Sequence, residues 1–241
     1  MKLARTLGLI TWVLEVEGVR TEPYRDTRGP GHAGFRQLLA GLDGRIDPKA
    51  IRDRALLRLL YDLGLRRAEV VGLDVEDVDL LAETVAVLGK GRTQKVTLTL
   101  PPATRAALAE WLTVRGMQFG PLFTSLDRAS RGRRLSGMGL YLVVRQIGER
   151  VNLRVRPHGL RHAAITRALD LTGGDIRSVQ KFSRHKDVRL LQRYDDNRQD
   201  LGGAVARRVA ADAEIKVAQT ALVVSKDLIE VPVSEETGAS G

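Results

Sequence analysis

Four side chains between residues 157 and 194 could together hold an anionic group and attack it. His158 and Arg161 lie three residues apart, so on a helix both project from one face. His185 and Tyr194 follow, nine residues from each other. Arginine and histidine hold anions by charge and hydrogen bonds, and a tyrosine hydroxyl can act as a nucleophile. None of these residues is specific alone, but the spacing of all four indicates a site for this chemistry.

The segment that carries them resembles the active-site half of the tyrosine recombinases, an integrase family that includes the Xer-like enzymes. Their pattern is His-x-x-Arg, then a histidine, then a nucleophilic tyrosine nine residues later. The four residues named above match it in order and distance. Upstream, residues 64–69 (GLRRAE) resemble the family's first arginine motif, and residues 89–91 (GKG) resemble its catalytic-lysine turn. Because all motifs occur in the family's order, the resemblance is specific.

The resemblance implies that Tyr194 attacks a DNA phosphate, which leaves a 3′-phosphotyrosyl link and a free 5′ hydroxyl. The transition state gathers negative charge on the non-bridging oxygens, and the planar fork of arginine can bind two such oxygens at once. Arg66 and Arg161 are the candidates for that role. Glu69 resembles a carboxylate that orients Arg66 from behind.

The tyrosine nucleophile depends on neighbouring groups that can take up its proton. A tyrosine hydroxyl has a pKa of ~10, so it attacks near neutral pH only beside an acceptor or a cationic field. By the same resemblance, His158 assists as acid or base and His185 helps to stabilise the transition state. Tyr61 and Tyr141 lie inside apolar helical patterns and are predicted to be core residues, which leaves Tyr194 as the candidate.

Lys90, at the tip of a predicted hairpin, is the candidate general acid for the departing 5′ oxygen. An alcohol is a poor leaving group, so a proton donor would add ~10²–10⁴ to the rate. Lys95 is a competing candidate, and the glycines that flank Lys90 favour the latter. His162 follows His158 by four residues, but no HExxH glutamate or clear third ligand accompanies it, so we predict a packing or supporting role. No metal or other cofactor is implied, because the covalent link conserves the phosphodiester energy.

The charge of the chain predicts a polyanionic partner. There are 39 lysines and arginines against 29 acidic residues, a formal charge of +10. The surplus lies in the first 200 residues, which favours double-stranded DNA bound there. Six arginines are interpreted as contacts to backbone phosphates: Arg92, Arg131, Arg133, Arg134, Arg145 and Arg184. Arg184 also departs from the family pattern, which usually has glycine before the second histidine, and Leu190 and Leu191 stand where threonines are usual.

Other classes of protein are excluded by composition. There is no cysteine, which excludes disulfides, a thiolate nucleophile and a cysteine zinc site. Glu15 and Glu17 interrupt the apolar run at the N-terminus, so a signal peptide is not predicted. No apolar run approaches the ~20 residues that span a bilayer. We therefore expect a cytoplasmic protein that makes no membrane contact.

The scaffold that must position these residues is predicted to be mainly α with a small three-stranded antiparallel β-sheet, an α+β fold. Asp47 and Pro48 predict a helix start, and apolar residues at helical spacing follow until Gly64. Alternation predicts two strands joined by a loop, at 84–88 and 96–100, and a third strand near 78–80. Further helices are predicted at about 103–115, 136–151, 157–172, 175–184 and 187–199.

Three segments are expected. Residues 1–30 resemble the remnant of a helical core-binding domain plus a linker, 31–200 form the catalytic domain, and 201–241 form a tail that is partly helical and then disordered. The resemblance implies a site-specific recombinase that is a monomer without DNA and a homotetramer on two duplexes. Two alternatives stay open: a DNA-binding module with little turnover because the N-terminal clamp domain is missing, and a type IB topoisomerase-like nicking or relaxing enzyme.

Overall fold

The computed structural model describes residues 29–89 and 91–185, together with Thr6, Gly8, 187–189, Leu191, Tyr194, Gly203 and 205–211. Within the two long ranges the helices are α1 (Gly31–Ala40), α2 (Pro48–Asp62), α3 (Arg67–Val71), α4 (Pro102–Arg115), α5 (Gly137–Arg150), α6 (Pro157–Leu171) and α7 (Ile176–Ser183). The strands are β1 (Val78–Asp79), β2 (Thr84–Leu88) and β3 (Lys95–Thr99), and a 3-10 turn, Val75–Asp77, precedes β1. This architecture confirms the predicted fold class.

Helix α2 is the central helix, and it begins where the sequence predicts. The side chain of Asp47 accepts a hydrogen bond from the backbone N–H of Ala50 at 3.1 Å, and Pro48 occupies the first turn. Six leucines and alanines of α2 are fully buried, because the helix packs against α4 and α6. Gly64, two residues after α2, adopts a positive φ of 54°, a conformation that favours glycine. The chain thereby turns sharply before Arg66.

The sheet is antiparallel in the order β1-β2-β3. Thr84 pairs with Thr99 and Leu88 with Lys95, so the β2–β3 turn covers residues 89–94. Val85 and Val87 of β2 are buried, as the alternating pattern predicts. The sheet carries this turn to the edge of the site described below.

Two hydrophobic clusters are present among the described residues. The larger joins α1, α2, α4, α5 and the sheet, and in it Trp111 donates its indole N–H to the carbonyl of Leu122 at 2.8 Å. The smaller consists of Ile165, Leu169, Val179 and Leu191. Tyr194 packs against this smaller cluster, so the segment after α7 is attached to α6 and α7.

Some expectations need correction or lie outside the described residues. Tyr61 is buried, as predicted, but Tyr141 is only half-buried because it lies on a partly exposed side of α5. Helix α1 was not predicted. The predicted segments 1–30 and 201–241 fall almost wholly outside the described residues, and the helix predicted at 187–199 is described only in part. No helix in the described part of the chain is long and apolar enough to cross a membrane.

Candidate active site

Arg66 stands at the start of α3 in an extended conformation, and Glu69 holds it there. One Glu69 carboxylate oxygen accepts from Arg66 Nη1 and the other from the Arg66 backbone N–H, both at 2.8 Å. The Glu69 side chain is only 2% exposed, whereas that of Arg66 is 31% exposed. Burial acts to raise the pKa of Glu69, but the Arg66 N–H and the guanidinium groups of Arg184 and Arg66 outweigh it and lower the pKa. The carboxylate thus stays ionised and holds Arg66 from inside.

Arg161 lies on the first turns of α6 and is 3% exposed. It donates to the carbonyls of Gly64 and Ser183, and its Nη2 lies 3.4 Å from His185 Nε2. Burial, and then the nearby positive charge of Arg66, lowers the pKa of Arg161 to about 10. The guanidinium is therefore still charged at neutral pH, in a fixed position between α6, α7 and the turn after α2.

The two predicted catalytic histidines both face these cations. His158 is exposed on the first turn of α6, and desolvation followed by the charges of Arg161 and Arg66 lowers its pKa. Burial and the same two arginines lower the pKa of His185 to about 4. His185 Nδ1 is buried and has no hydrogen-bond partner among the described residues. Both imidazoles are consequently neutral near pH 7, so each has one ring nitrogen that donates and one that accepts a hydrogen bond.

Tyr194 completes the set and is half-buried. Its ring centroid lies 5.9 Å from that of His185 and 4.5 Å from that of His162. Burial raises the pKa of Tyr194, although the charges of Arg161 and Arg66 oppose the shift. The hydroxyl is therefore protonated in the free protein, and attack requires that its proton be accepted.

A cleft of about 420 Å³ opens beside Arg66. It is bordered by His185 on one side and by Gly89, Gly91 and Arg92 of the β2–β3 turn on the other. Lys90 itself lies outside the described residues, but the residues on both sides of it border the cleft. Its rival, Lys95, instead forms an ion pair with Asp77, whose side chain is 6% exposed. Lys95 is thus engaged by a buried carboxylate, and the role of Lys90 stays a prediction.

The predicted DNA-contacting arginines divide into two groups. Arg92, Arg131 and Arg133 are exposed. Arg134 is partly exposed but donates to the carbonyls of Val71 and Leu73 and pairs with Asp74. Its guanidinium therefore joins two segments of the protein.

Arg145 and Arg184 also have partners within the protein. Arg145 pairs with Glu149 on the exposed face of α5. Arg184 requires a correction: its side chain borders the cleft but is only 12% exposed and is bound to Glu69 and backbone carbonyls, so it is not a freely exposed cation. One sequence feature singled out this residue, the arginine in place of glycine, but no pattern indicated its partners.

Comparison with known proteins identifies relatives of this chain. Residues 32–200 match the model of the phage integrase family. The chain is 44% identical over 216 residues to a tyrosine recombinase of Synechococcus elongatus, covering 87% of this chain and 67% of that protein. It is 43% identical over 203 residues to a tyrosine recombinase of Synechocystis, covering 81% of this chain and 64% of that protein. The chain thus spans about two thirds of the length of these relatives.

Solved structures share the fold. The XerH site-specific recombinase bound to a palindromic difH substrate aligns with a TM-score of 0.63 and 22% identity, covering 80% of this chain and 56% of that one. The family match includes the segments that carry Arg66, Arg161, His185 and Tyr194. The chain therefore belongs to the phage integrase family of tyrosine recombinases.

Proposed function

We propose that this chain is the catalytic part of a site-specific DNA recombinase, which breaks and rejoins DNA through a 3′-phosphotyrosyl intermediate. One observation carries the proposal: Arg66 and Arg161, from segments about 95 residues apart, both lie beside His185, whose ring centroid is 5.9 Å from that of Tyr194. A single anionic phosphorus suits such a set, because each guanidinium can bind non-bridging oxygens. Relatives that bear the name tyrosine recombinase support the same function.

The roles follow from charge and protonation. Arg66 and Arg161 bind the non-bridging oxygens of the scissile phosphate, and the Tyr194 oxygen attacks phosphorus. His158, kept neutral by its lowered pKa, accepts the phenolic proton. The bond from phosphorus to the 5′ oxygen breaks, and Lys90 gives that oxygen its proton.

His185 supports the oxygens that become negative in the transition state. Its pKa of about 4 makes it a poor proton acceptor, so it serves as a hydrogen-bond donor through a ring N–H. A 5′ hydroxyl from another strand then attacks the phosphotyrosyl link and reverses the chemistry. Neither ATP nor a metal ion is required, since the link retains the energy of the broken bond.

The partner in this proposal is double-stranded DNA. Exchange of strands needs two duplexes, and four active sites would cleave the four strands involved. We therefore include in the proposal a homotetramer on two duplexes and a monomer in the absence of DNA. The exposed arginines Arg92, Arg131 and Arg133 would contact the DNA backbone near the cleft.

Covalent capture tests the chemistry. The protein is mixed with a pool of nicked duplexes whose central sequence is randomised, so that the fragment 3′ of the cleaved bond diffuses away and the intermediate accumulates. SDS then stops the reaction, and protein-linked DNA is recovered and sequenced. We expect an adduct that maps to Tyr194 by peptide mass and that is absent in Tyr194→Phe. Tyr141→Phe, which alters a half-buried tyrosine on α5, is the matched control and should form the adduct.

The same material separates the alternative functions. DNA binding without any adduct from the wild-type chain would contradict the proposal and favour a binding module. If the adduct forms, the recovered sequence is placed on two duplexes of different length. Joint molecules of new length support recombination, whereas relaxation of supercoiled DNA without joint molecules supports topoisomerase-like activity.

A further inference from the structure

Arg184 occupies the turn between α7 and His185 in a conformation that disfavours its residue type. Its φ is 57° and its ψ is 34°, in the left-handed region. A residue with a Cβ atom is disfavoured there by steric strain, which glycine avoids. Among the described residues other than glycine, positive φ angles occur at only two other positions, Glu83 and Asn152. An arginine at this turn therefore calls for contacts that offset the backbone strain.

Those contacts reach from the end of α7 to the turn after α2. Arg184 Nη1 donates to the carbonyls of Leu63 at 3.1 Å and Phe182 at 2.9 Å. Nη2 donates to the carbonyl of Gly64 at 3.2 Å and to Glu69 Oε2 at 3.1 Å. The guanidinium is thus used within the protein, and the side chain is only 12% exposed. The residue borders the cleft, but both of its Nη atoms donate to protein groups.

Two of these four partners also hold the arginines of the active site. Glu69 binds Arg184 through the same carboxylate that holds Arg66. The Gly64 carbonyl accepts from Arg184 and from Arg161. Arg184 is therefore the common neighbour of the groups that orient both phosphate-binding guanidiniums.

We propose that Arg184 is a positioning residue that fixes Arg66 through Glu69 and Arg161 through the Gly64 carbonyl. This inference rests on the proposed function, since it concerns how the same site holds a phosphate. Without the Arg184 side chain, Glu69 loses one of its two cationic partners and can rotate. Arg66 then becomes less well ordered, and binding of the transition-state charge weakens.

Glycine, the residue usual in the family at this position, is the most informative replacement for Arg184. Arg184→Gly removes the contacts and also relieves the strain of the turn, so its melting temperature should stay close to that of the wild type. Asn152→Gly is the matched control, because Asn152 has the same φ of 57° and is exposed. Single-turnover cleavage of the captured duplex should be about 10- to 100-fold slower in Arg184→Gly and unchanged in Asn152→Gly.

A neutral substrate distinguishes positioning from general damage to the fold. In a methylphosphonate duplex one non-bridging oxygen of the scissile phosphate is replaced by methyl, so much less charge needs to be bound. The defect of Arg184→Gly should shrink on this substrate, whereas a merely structural defect would slow both substrates equally. The salt dependence of DNA binding should not change, since a lost phosphate contact would reduce its slope by about one.

A double-mutant cycle tests the route through Glu69. The loss of activation free energy in the double variant Arg184→Gly/Glu69→Gln should be smaller than the sum of the losses in the two single variants. Both substitutions weaken the same orientation of Arg66. Arg184→Lys keeps the charge and should recover part of the rate, and it replaces Arg184→Gly in every comparison if the glycine variant does not fold. If the wild type cleaves and Arg184→Gly cleaves at the same rate, this inference is overturned and the proposed function stands. No adduct from the wild type overturns the proposed function and this inference with it.

Discussion

The ring of Tyr194 lies against the imidazole of His162, with 4.5 Å between the ring centroids, closer than the 5.9 Å to His185. His162 is one turn beyond His158 on α6, and its Nδ1 lies 3.5 Å from Thr166 Oγ1. Helix α6 therefore contributes the surface on which the phenol ring rests, in addition to Arg161. The nucleophile and the cation that it must face are positioned by one rigid element.

Truncation of His162 should misplace the nucleophile. A shift of the attacking atom by about 1 Å can lower a rate by ~10²-fold, so we expect His162→Ala to slow single-turnover cleavage by at least 10-fold. His162→Phe preserves a ring against Tyr194 and should retain more of the rate. If the phenylalanine variant is as slow as the alanine variant, His162 acts through its nitrogens and not through packing.

The two lysines of the β2–β3 region should differ in effect. Lys95→Ala removes an ion pair with Asp77 and should change stability more than cleavage. Lys90→Ala removes the proposed proton donor and should slow cleavage by ~10²–10⁴. A duplex with sulfur in place of the 5′ bridging oxygen has a better leaving group, so it should restore the rate of Lys90→Ala. Restoration of Lys95→Ala instead would assign the proton donor to Lys95.

Local patterns predicted most of the scaffold. Asp47 and Pro48 start α2 as expected, and β2 runs from Thr84 to Leu88 as the alternation indicates. These elements follow from interactions between residues close in sequence, such as capping and period-2 burial. Helix α1 was missed because it follows a stretch rich in charge, proline and glycine, a composition typical of linkers.

Sequence motifs predicted which residues belong to the candidate site, but not the contacts between them. Residue types and spacing identified the arginines and histidines, but not which imidazole contacts Tyr194. Three of the four partners of Arg184 lie more than 100 residues away along the chain, and no local pattern encodes such a pairing. An arginine in place of glycine was interpreted as a surface cation, whereas tertiary structure turns it inward.

The lowered pKa of His185 predicts a specific loss of stability in acid. The unfolded chain binds a proton on this residue near pH 6.5, whereas the folded chain does so only near its pKa of about 4. Stability is therefore fully present above pH 6.5 and falls as the pH drops toward 4. Between pH 7 and pH 5, the free energy of unfolding should fall by about 1 kcal/mol less in His185→Gln than in the wild type, with allowance for solvent screening. Chemical denaturation at both pH values measures it, and equal losses in variant and wild type would refute the assignment.

The exposed and the internally bound arginines of the 131–134 loop should behave differently toward salt. Arg131→Ala and Arg133→Ala should each reduce the slope of log affinity against log salt by about one, because each removes a phosphate contact. Arg134→Ala should leave the slope unchanged and lower the melting temperature, since Arg134 joins two segments. Fluorescence anisotropy with the Tyr194→Phe protein reports binding without cleavage. A reduced slope in Arg134→Ala would place that guanidinium on the DNA.

Leu191 should control the attachment of the nucleophile separately from the stability of the whole fold. It is fully buried, but in the small cluster with Ile165, Leu169 and Val179, not in the main core. Truncation of a buried leucine costs about 2–5 kcal/mol, and a small satellite cluster can open locally without global unfolding. We therefore expect Leu191→Ala to slow cleavage by at least 10-fold and to speed proteolysis between residues 187 and 194, with little change in melting temperature.

Leu122→Ala, which truncates an equally buried leucine of the main core, is the matched control for that variant. It should lower the melting temperature by roughly 2–4 °C per kcal/mol for a chain of this size, without selective proteolysis near Tyr194. The contrast arises because the main core is shared by most elements, whereas the small cluster joins only α6, α7 and the Tyr194 segment. If both variants lower the melting temperature equally and neither exposes residues 187–194, the nucleophile segment unfolds only together with the rest of the protein.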